Sequence, residues 1–431
     1  MPNRAGPRWL WLLLAGTAAP AASAFEIGAA IGHESEYTSN TERSADDEVA
    51  EWIHSPRVEI GAQHEGASLN LQAGYVIERR YYQKDIYDDE KADRGSAEIR
   101  WQALPSRLDF TLRNVRAETT RQSFAADTRD NRQVVAYTEA GPTLRLQPRR
   151  GDELQVEYLY TTVNASETDT DSQRHTGSLR YVLGLSTNQA LTVESSYRDI
   201  DYDNESSPDV SGWSHTGTYA ANTRLLELSL TGGFSRLDRT LGRESTSGRI
   251  LRANLAWERG NSRLGFNVSE ELRDQSTNIS RSDQDFGDTA NEDSDLNEVF
   301  TETRAELSWE QEFGRSTFSA GLYASEEDYE DLAERDSERF GARFRVSRRI
   351  SRQTRVSLRA DFANREYSGR NEKYDELRAS IALERSVGQS LSLSLSAGYD
   401  ESRGKGASGR SYDEWTTRIG LRYQALGDRR R

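Results

Sequence analysis

The residues that could do chemistry are five histidines, a high density of carboxylates, and basic charge carried almost entirely by arginine. His33, His54, His64, His175 and His215 contain no i, i+4 pair of the kind a helix uses to hold zinc. The chain has no cysteine, which removes disulfides, thiolate metal sites, thiol catalysis and a lipid anchor on Cys. Ser/His/Asp or Asp/His sets of the kind used by outer-membrane proteases and lipases cannot be located. The expectation is therefore no enzyme, no metal site and no cofactor, with an outer-membrane hydrolase as the least favoured alternative. There is no phosphate-cradling glycine loop, and a net charge of −15 argues against a nucleic-acid partner.

The charged residues carry more information than the histidines. Arg339, Arg343, Arg345, Arg355, Arg359, Arg418 and Arg422 share one parity within alternating segments, and Glu302 and Glu306 share it too. Guanidinium forks match carboxylates and phosphates, so an arginine ladder could guide anionic solutes or acidic sugars. The plainer reading is a salt-bridged wall, because Glu310, Asp361, Glu376 and Glu384 on the same parity nearly balance the signs. Excess acid gathers at 46–48, 88–90, 283–295 and 326–328. Such clusters could hold divalent cations or bridge to lipopolysaccharide phosphates. Solvated loop surface explains them more simply.

The elements that position these residues are strands. Only 35% of residues are apolar, yet 12 Phe, 19 Tyr and 8 Trp argue against disorder. Alternation of period two recurs throughout: Val356, Leu358, Ala360 and Phe362 alternate with Arg355, Ser357, Arg359 and Asp361. Leu391, Leu393 and Leu395 alternate with serines. Short separators such as Leu104-Pro105-Ser106, Gly260-Asn261 and Gly388-Gln389 take turns with long acidic ones. The latter cover 38–51, 84–93, 120–130, 203–210, 276–296, 330–336 and 403–410.

This spacing predicts an all-β fold: a transmembrane up-and-down antiparallel β-barrel of about 20 strands (about 18–20), each of about 12–16 residues. Its apolar face would meet lipid and its polar face a wet lumen, which explains how an ordered chain manages with so little apolar mass. Pro56 and Pro142 fall inside the second and sixth strands, where a bulge or a shifted boundary is expected.

Residues 1–24 read as a signal peptide, with Arg4 and Arg8, an apolar run from Trp9 to Pro20, and Ala22-Ser23-Ala24 before a cleavage point near Ala24. The barrel is expected over 25–425, with a short basic tail over 426–431. Trp52, Trp213 and Trp415 open strands that leave long loops, whereas Trp101, Trp257 and Trp309 close strands that enter short turns. All six share the apolar parity, as two membrane-interface belts would.

Arg418 to Ala425 (RIGLRYQA) resembles the terminal strand signal of outer-membrane barrels, although Ala425 takes the slot of the usual terminal aromatic. Ile27 to Asn40 (IGAAIGHESEYTSN) and the closing LSLSLSAGYDESRG and SYDEWTTRIGLRYQ resemble a family of outer-membrane β-barrel porins associated with exopolysaccharide loci. The resemblance implies a Gram-negative outer-membrane channel for passive passage or export of hydrophilic solutes, with (exo)polysaccharide as cargo. The implied partners are outer-membrane lipid, lipopolysaccharide, the barrel assembly machinery and polysaccharide. An occluded structural or surface-binding barrel is the alternative. The 276–296 loop is long enough to fold inward and narrow the lumen.

Overall fold

The computed structural model describes residues 25–121, 126–168, 171–204, 207–240, 245–274, 299–406 and 411–426. The leader, the 276–296 loop, the acidic run at 283–295 and the tail beyond Leu426 lie outside the described residues. The strands in chain order are β1 (Glu26–Thr38), β2 (Glu51–Glu65), β3 (Leu69–Tyr82), β4 (Glu90–Lys91), β5 (Arg94–Leu104), β6 (Leu108–Thr120) and β7 (Arg132–Leu146). They continue as β8 (Glu153–Ala165), β9 (Ser172–Ser186), β10 (Gln189–Tyr202), β11 (Val210–Asn222), β12 (Leu226–Arg239), β13 (Thr246–Arg259) and β14 (Ser262–Asp274). The last seven are β15 (Val299–Phe313), β16 (Ser316–Tyr329), β17 (Ser337–Arg349), β18 (Thr354–Tyr367), β19 (Glu372–Val387), β20 (Leu391–Lys405) and β21 (Tyr412–Leu426).

Successive long strands pair antiparallel, and β1 pairs with both β2 and β21, so the sheet closes on itself. The result is a barrel of 20 long strands. The two-residue β4 is the continuation of β5: Val76 of β3 lies opposite Arg94, and Arg79 lies opposite Lys91 in the same register.

The alternation seen in the sequence becomes two faces. On β18, Leu358 lies opposite Val346 on one side and Ile381 on the other, and Phe362 opposite Ala342 and Leu377. These residues join an exposed outer belt with Phe344, Leu393, Leu395 and Ile419. The intervening Arg359 and Asp361 point inward with Ser380 and Arg378 beside them. An outer surface this apolar is stable only in contact with lipid, where a closed ladder also satisfies every strand's backbone groups.

Turns and prolines fit this frame. The two-residue connections Gly260-Asn261 and Gly314-Arg315 both place glycine first, at φ 63° and 57°, where an L side chain would be strained. Pro56 and Pro142 require neither a bulge nor a boundary. The β2–β3 ladder stops at His54 opposite Tyr81 and resumes at Arg57 opposite Glu78 without changing register. The β7–β8 ladder likewise omits Gly141 and Pro142 between Ala140 and Thr143. Each proline still faces its other neighbour, Pro56 opposite His33 and Pro142 opposite Phe110. A proline has no N–H to donate, and the ladder tolerates the loss of a rung where strands are held on both flanks.

Two boundaries differ from the sequence reading. The acidic Glu326, Glu327 and Asp328 end β16 and are not loop, and β20 runs on to Lys405.

The two faces should respond differently to charge. Leu358→Arg, on the outer face, is expected to cost about 2–4 kcal/mol, while Ser357→Arg, facing the lumen, should cost less than about 1 kcal/mol. Equilibrium guanidinium unfolding of the protein refolded in lipid vesicles measures both. Equal costs would mean that the outer face is not the lipid face.

Candidate functional site

The register carries Arg339, Arg343, Arg345, Arg355, Arg359, Arg418, Arg422, Glu302 and Glu306 to the inward face. Several are held by acidic partners, either on other strands or two residues away on their own. Arg418 donates to both carboxylate oxygens of Glu36 at 2.7 and 3.1 Å, and Arg422 donates to Glu59 at 2.7 Å. Arg359 donates to Asp361 at 2.6 Å, and Arg304 reaches Glu306 at 3.3 Å. Glu302 pairs with Arg273, which also binds Glu271. Much of the lumen wall is thus cross-braced by charge. Arg343 instead lies over the Tyr323 ring, 4.6 Å from its centroid, and Arg339 lies over the same ring at 5.3 Å.

The long-loop end holds a feature that the alternation did not reveal. Tyr82, Tyr202, Tyr329, Tyr367, Tyr374 and Tyr412 are all buried. Each stands within the first or last three residues of its strand, next to a long connection. Some anchor carboxylates: Tyr374 donates to Glu372 at 2.5 Å and Tyr82 to Glu90 at 3.0 Å. Two small apolar clusters lie at the same end of the wall: Val115, Val135, Tyr137 and Val163, and Ile200, Tyr202 and Val210. The barrel's packed core is therefore a collar at one rim. Tyrosine at the inward parity of strand ends was a signal available in the sequence.

Loops fold inward against this collar. Arg43, from the β1–β2 connection, donates to Glu414 at 3.0 Å and Asp400 at 3.1 Å, and lies 3.7 Å from Asp127 of the β6–β7 connection. Asp127 is also held by Arg132 at 2.7 Å. The β3–β5 connection joins in, because Glu90 accepts from Arg80 at 2.9 Å and lies 3.7 Å from Arg129. Arg80 also makes a two-pronged contact with Glu118, both bonds at 3.0 Å. Glu90 thus belongs to a partly buried ionic network, whereas the sequence reading placed it in a solvated acidic loop. Beneath these loops lies a cavity of about 240 Å³, lined by Glu36, Arg57, Glu78, Arg80, Asp127 and Arg418 among others. On the far side, Arg239 of β12 pairs with Asp331 in the β16–β17 connection.

The histidines lie on the other face of the wall. His33 and His54 share the hydroxyl of Ser35, each at 3.1 Å, and His54 stacks beside Trp52. His175 bonds the Tyr158 hydroxyl at 2.7 Å, His215 stacks on Trp213, and His64 stacks on Phe25. Among the described residues, no group of three or more potential metal ligands forms. Trp52, Trp101, Trp213, Trp257, Trp309 and Trp415 are all exposed on the outer surface. Tyr37, Tyr197 and Tyr399 pack against Trp52, Trp213 and Trp415 at the long-loop end.

No family model matches the chain, and no curated protein matches it. Solved structures do. The siderophore receptor PirA from Pseudomonas aeruginosa superposes with a TM-score of 0.51 at 11% identity, covering 94% of this chain and 82% of that one. The FrpB iron transporter from Neisseria meningitidis gives 0.50 at 10% identity, covering 93% and 81%. The likeness is one of fold.

The Arg43 latch depends on ionised carboxylates. Burial disfavours the Asp127 carboxylate, but the guanidiniums of Arg132 and Arg43 outweigh it and hold its pKa below the usual range. A depressed carboxyl pKa contributes stability above the unfolded value, about 3.9, and that contribution is lost as pH falls through the lower folded value. Acidification from pH 7 to below the unfolded value should therefore release Arg43 of the β1–β2 connection from Asp127 of the β6–β7 connection. The cysteine-free chain allows spin labels on Asp47→Cys and Asp130→Cys without background. Their distance distribution should be narrow at pH 7 and broad in acid. A distribution that stays narrow throughout would count against the latch.

Proposed function

We propose that the protein is an outer-membrane channel for passive passage or export of hydrophilic solutes, with polysaccharide or oligosaccharide as cargo. The observation that carries the channel reading is the pairing of an apolar outer belt with an inward face of arginine, carboxylate, serine and threonine in a 20-stranded barrel. Barrels of about 16–18 strands already leave an aqueous passage. The cargo rests on the sequence resemblance at Ile27–Asn40 and in the closing hairpin. Insertion would follow export past a signal peptide cleaved near Ala24, with β21 presented to the barrel assembly machinery. Lipid and lipopolysaccharide would surround the aromatic belts.

A second reading has its own support. The Arg43 latch, the inward loops and the tyrosine collar narrow the long-loop end, as they would in an occluded barrel that binds partners at the surface. Single-channel recording in planar bilayers separates the two. Protein folded in detergent should give stable, discrete openings, and Arg43→Ala should enlarge them by freeing two loops. Silence from protein that shows a heat-modifiable gel band would favour the occluded barrel.

The six tryptophans supply an independent check on seating. Lipids brominated near the headgroup should quench their fluorescence more strongly than lipids brominated near the chain ends, because interfacial rings sit at headgroup level. The reverse order would remove the two-belt assignment.

A further inference from the structure

We propose that the inward face of β17 and β18 is a binding seam for a linear polyanion carrying carboxylate or phosphate groups. The register of this one strand pair sets arginine directly opposite arginine three times: Arg339 with Arg365, Arg345 with Arg359, and Arg349 with Arg355. Like charges placed directly across a ladder oppose folding; where inward acids face each other an arginine bridges them, Arg273 between Glu271 and Glu302 and Arg43 between Asp400 and Glu414. Elsewhere, arginines meet acids, as Arg418 meets Glu36 and Arg252 meets Glu271. Along the seam the inward faces offer a single acid, Asp361, which Arg359 engages.

Some donors of the seam are unmatched within the protein, although Arg365 also donates to the Tyr367 hydroxyl at 3.0 Å. The buried Nε atoms of Arg339 and Arg365 have no hydrogen-bond partner. Arg343 rests on Tyr323 and makes no ion pair among the described residues. At the short-turn mouth the seam opens into a cavity of about 540 Å³. Arg349, Arg352 and Arg355 line it, and no carboxylate among the described residues lies within ion-pair distance of them. Its acids are Glu34, which Arg57 approaches at 3.8 Å, and Glu384, opposite Arg355 in register. Ser392, Ser394 and Ser396 add hydroxyls from β20.

From Arg339 to Arg349 the strand rises about 34 Å, so one extended ligand could meet all three pairs in turn. Guanidinium forks bind carboxylate and phosphate oxygens in pairs, and a polyanion would relieve the repulsion that the register builds in. This deepens the channel reading and shares its premise of an accessible lumen.

Calorimetric titration of the detergent-folded, full-length protein tests it with three probes: hexameric oligogalacturonate, linear hexaphosphate and neutral maltohexaose. Both anions should bind at least about tenfold more tightly than maltohexaose, with affinity falling as salt rises. Strong binding of only one anion would identify which group the seam accepts. The double variant Arg349→Gln, Arg355→Gln should lose about tenfold in anion affinity, while Arg263→Gln, whose partners are Glu258 and Glu227, should not.

Should the double variant not fold, Arg349→Lys with Arg355→Lys keeps the charge, loses the fork, and should still weaken binding. Equal affinity for maltohexaose and the anions, or unchanged binding in a folded seam variant, would overturn the proposal. Anion binding without conductance would leave the seam standing and the conduit fallen. Openings without anion binding would do the opposite.

Discussion

Everything in this molecule depends on the ladder closing between β1 and β21. A strand in lipid has no water to satisfy its N–H and C=O groups, so an open sheet edge at membrane depth would cost several kcal/mol for each unpaired group. The chain removes the edge by bringing Ala30 to Thr38 alongside Thr416 to Gln424, its two most distant strands. Once that seam forms, the apolar parity of every strand must face outward together and the polar parity must line a common interior. Even the prolines obey this constraint. Pro56 and Pro142 each remove a rung, yet the register on either side of the gap is unchanged.

The interior then faces a problem of charge. Twenty strands bring many arginines and carboxylates into one lumen, and they are matched both along a strand, between residues two apart, and across strands. Arg418 with Glu36 and Arg422 with Glu59 show the cross-strand solution near the closing seam. Arg304 with Glu306 and Arg359 with Asp361 show the same-strand one. Such pairs contribute little net stability each in a wet lumen, where water screens them. Their effect is to hold side chains against the wall. The exceptions, where arginine faces arginine, stand out against that background.

At the long-loop rim the chemistry changes from wet wall to packed collar. Tyrosines at strand ends bury their rings while their hydroxyls reach carboxylates, which lets one side chain serve both a core and an ionic network. Arg43 crosses from one loop to two strands and a second loop, joining segments far apart in sequence. This is where loops are tied to the wall by ion pairs. It is also where the structure departs most from a simple tube.

The sequence by itself determined the strands, their number and their two faces, because side chains alternate with a period of two and the lipid-facing parity must be apolar. It also placed six tryptophans on that parity and the named arginines on the other. What it could not determine was which charges meet. Alternation says that Arg345 and Arg359 face the lumen, but only the hydrogen-bond register sets them opposite each other. The same holds for Glu90, which reads as solvated acid until its loop folds over Arg80, and for the five histidines, which cluster with aromatics on the outer wall. Pairings across the barrel depend on strand stagger and loop path, and neither leaves a local periodic signature. Tertiary structure alone settles them.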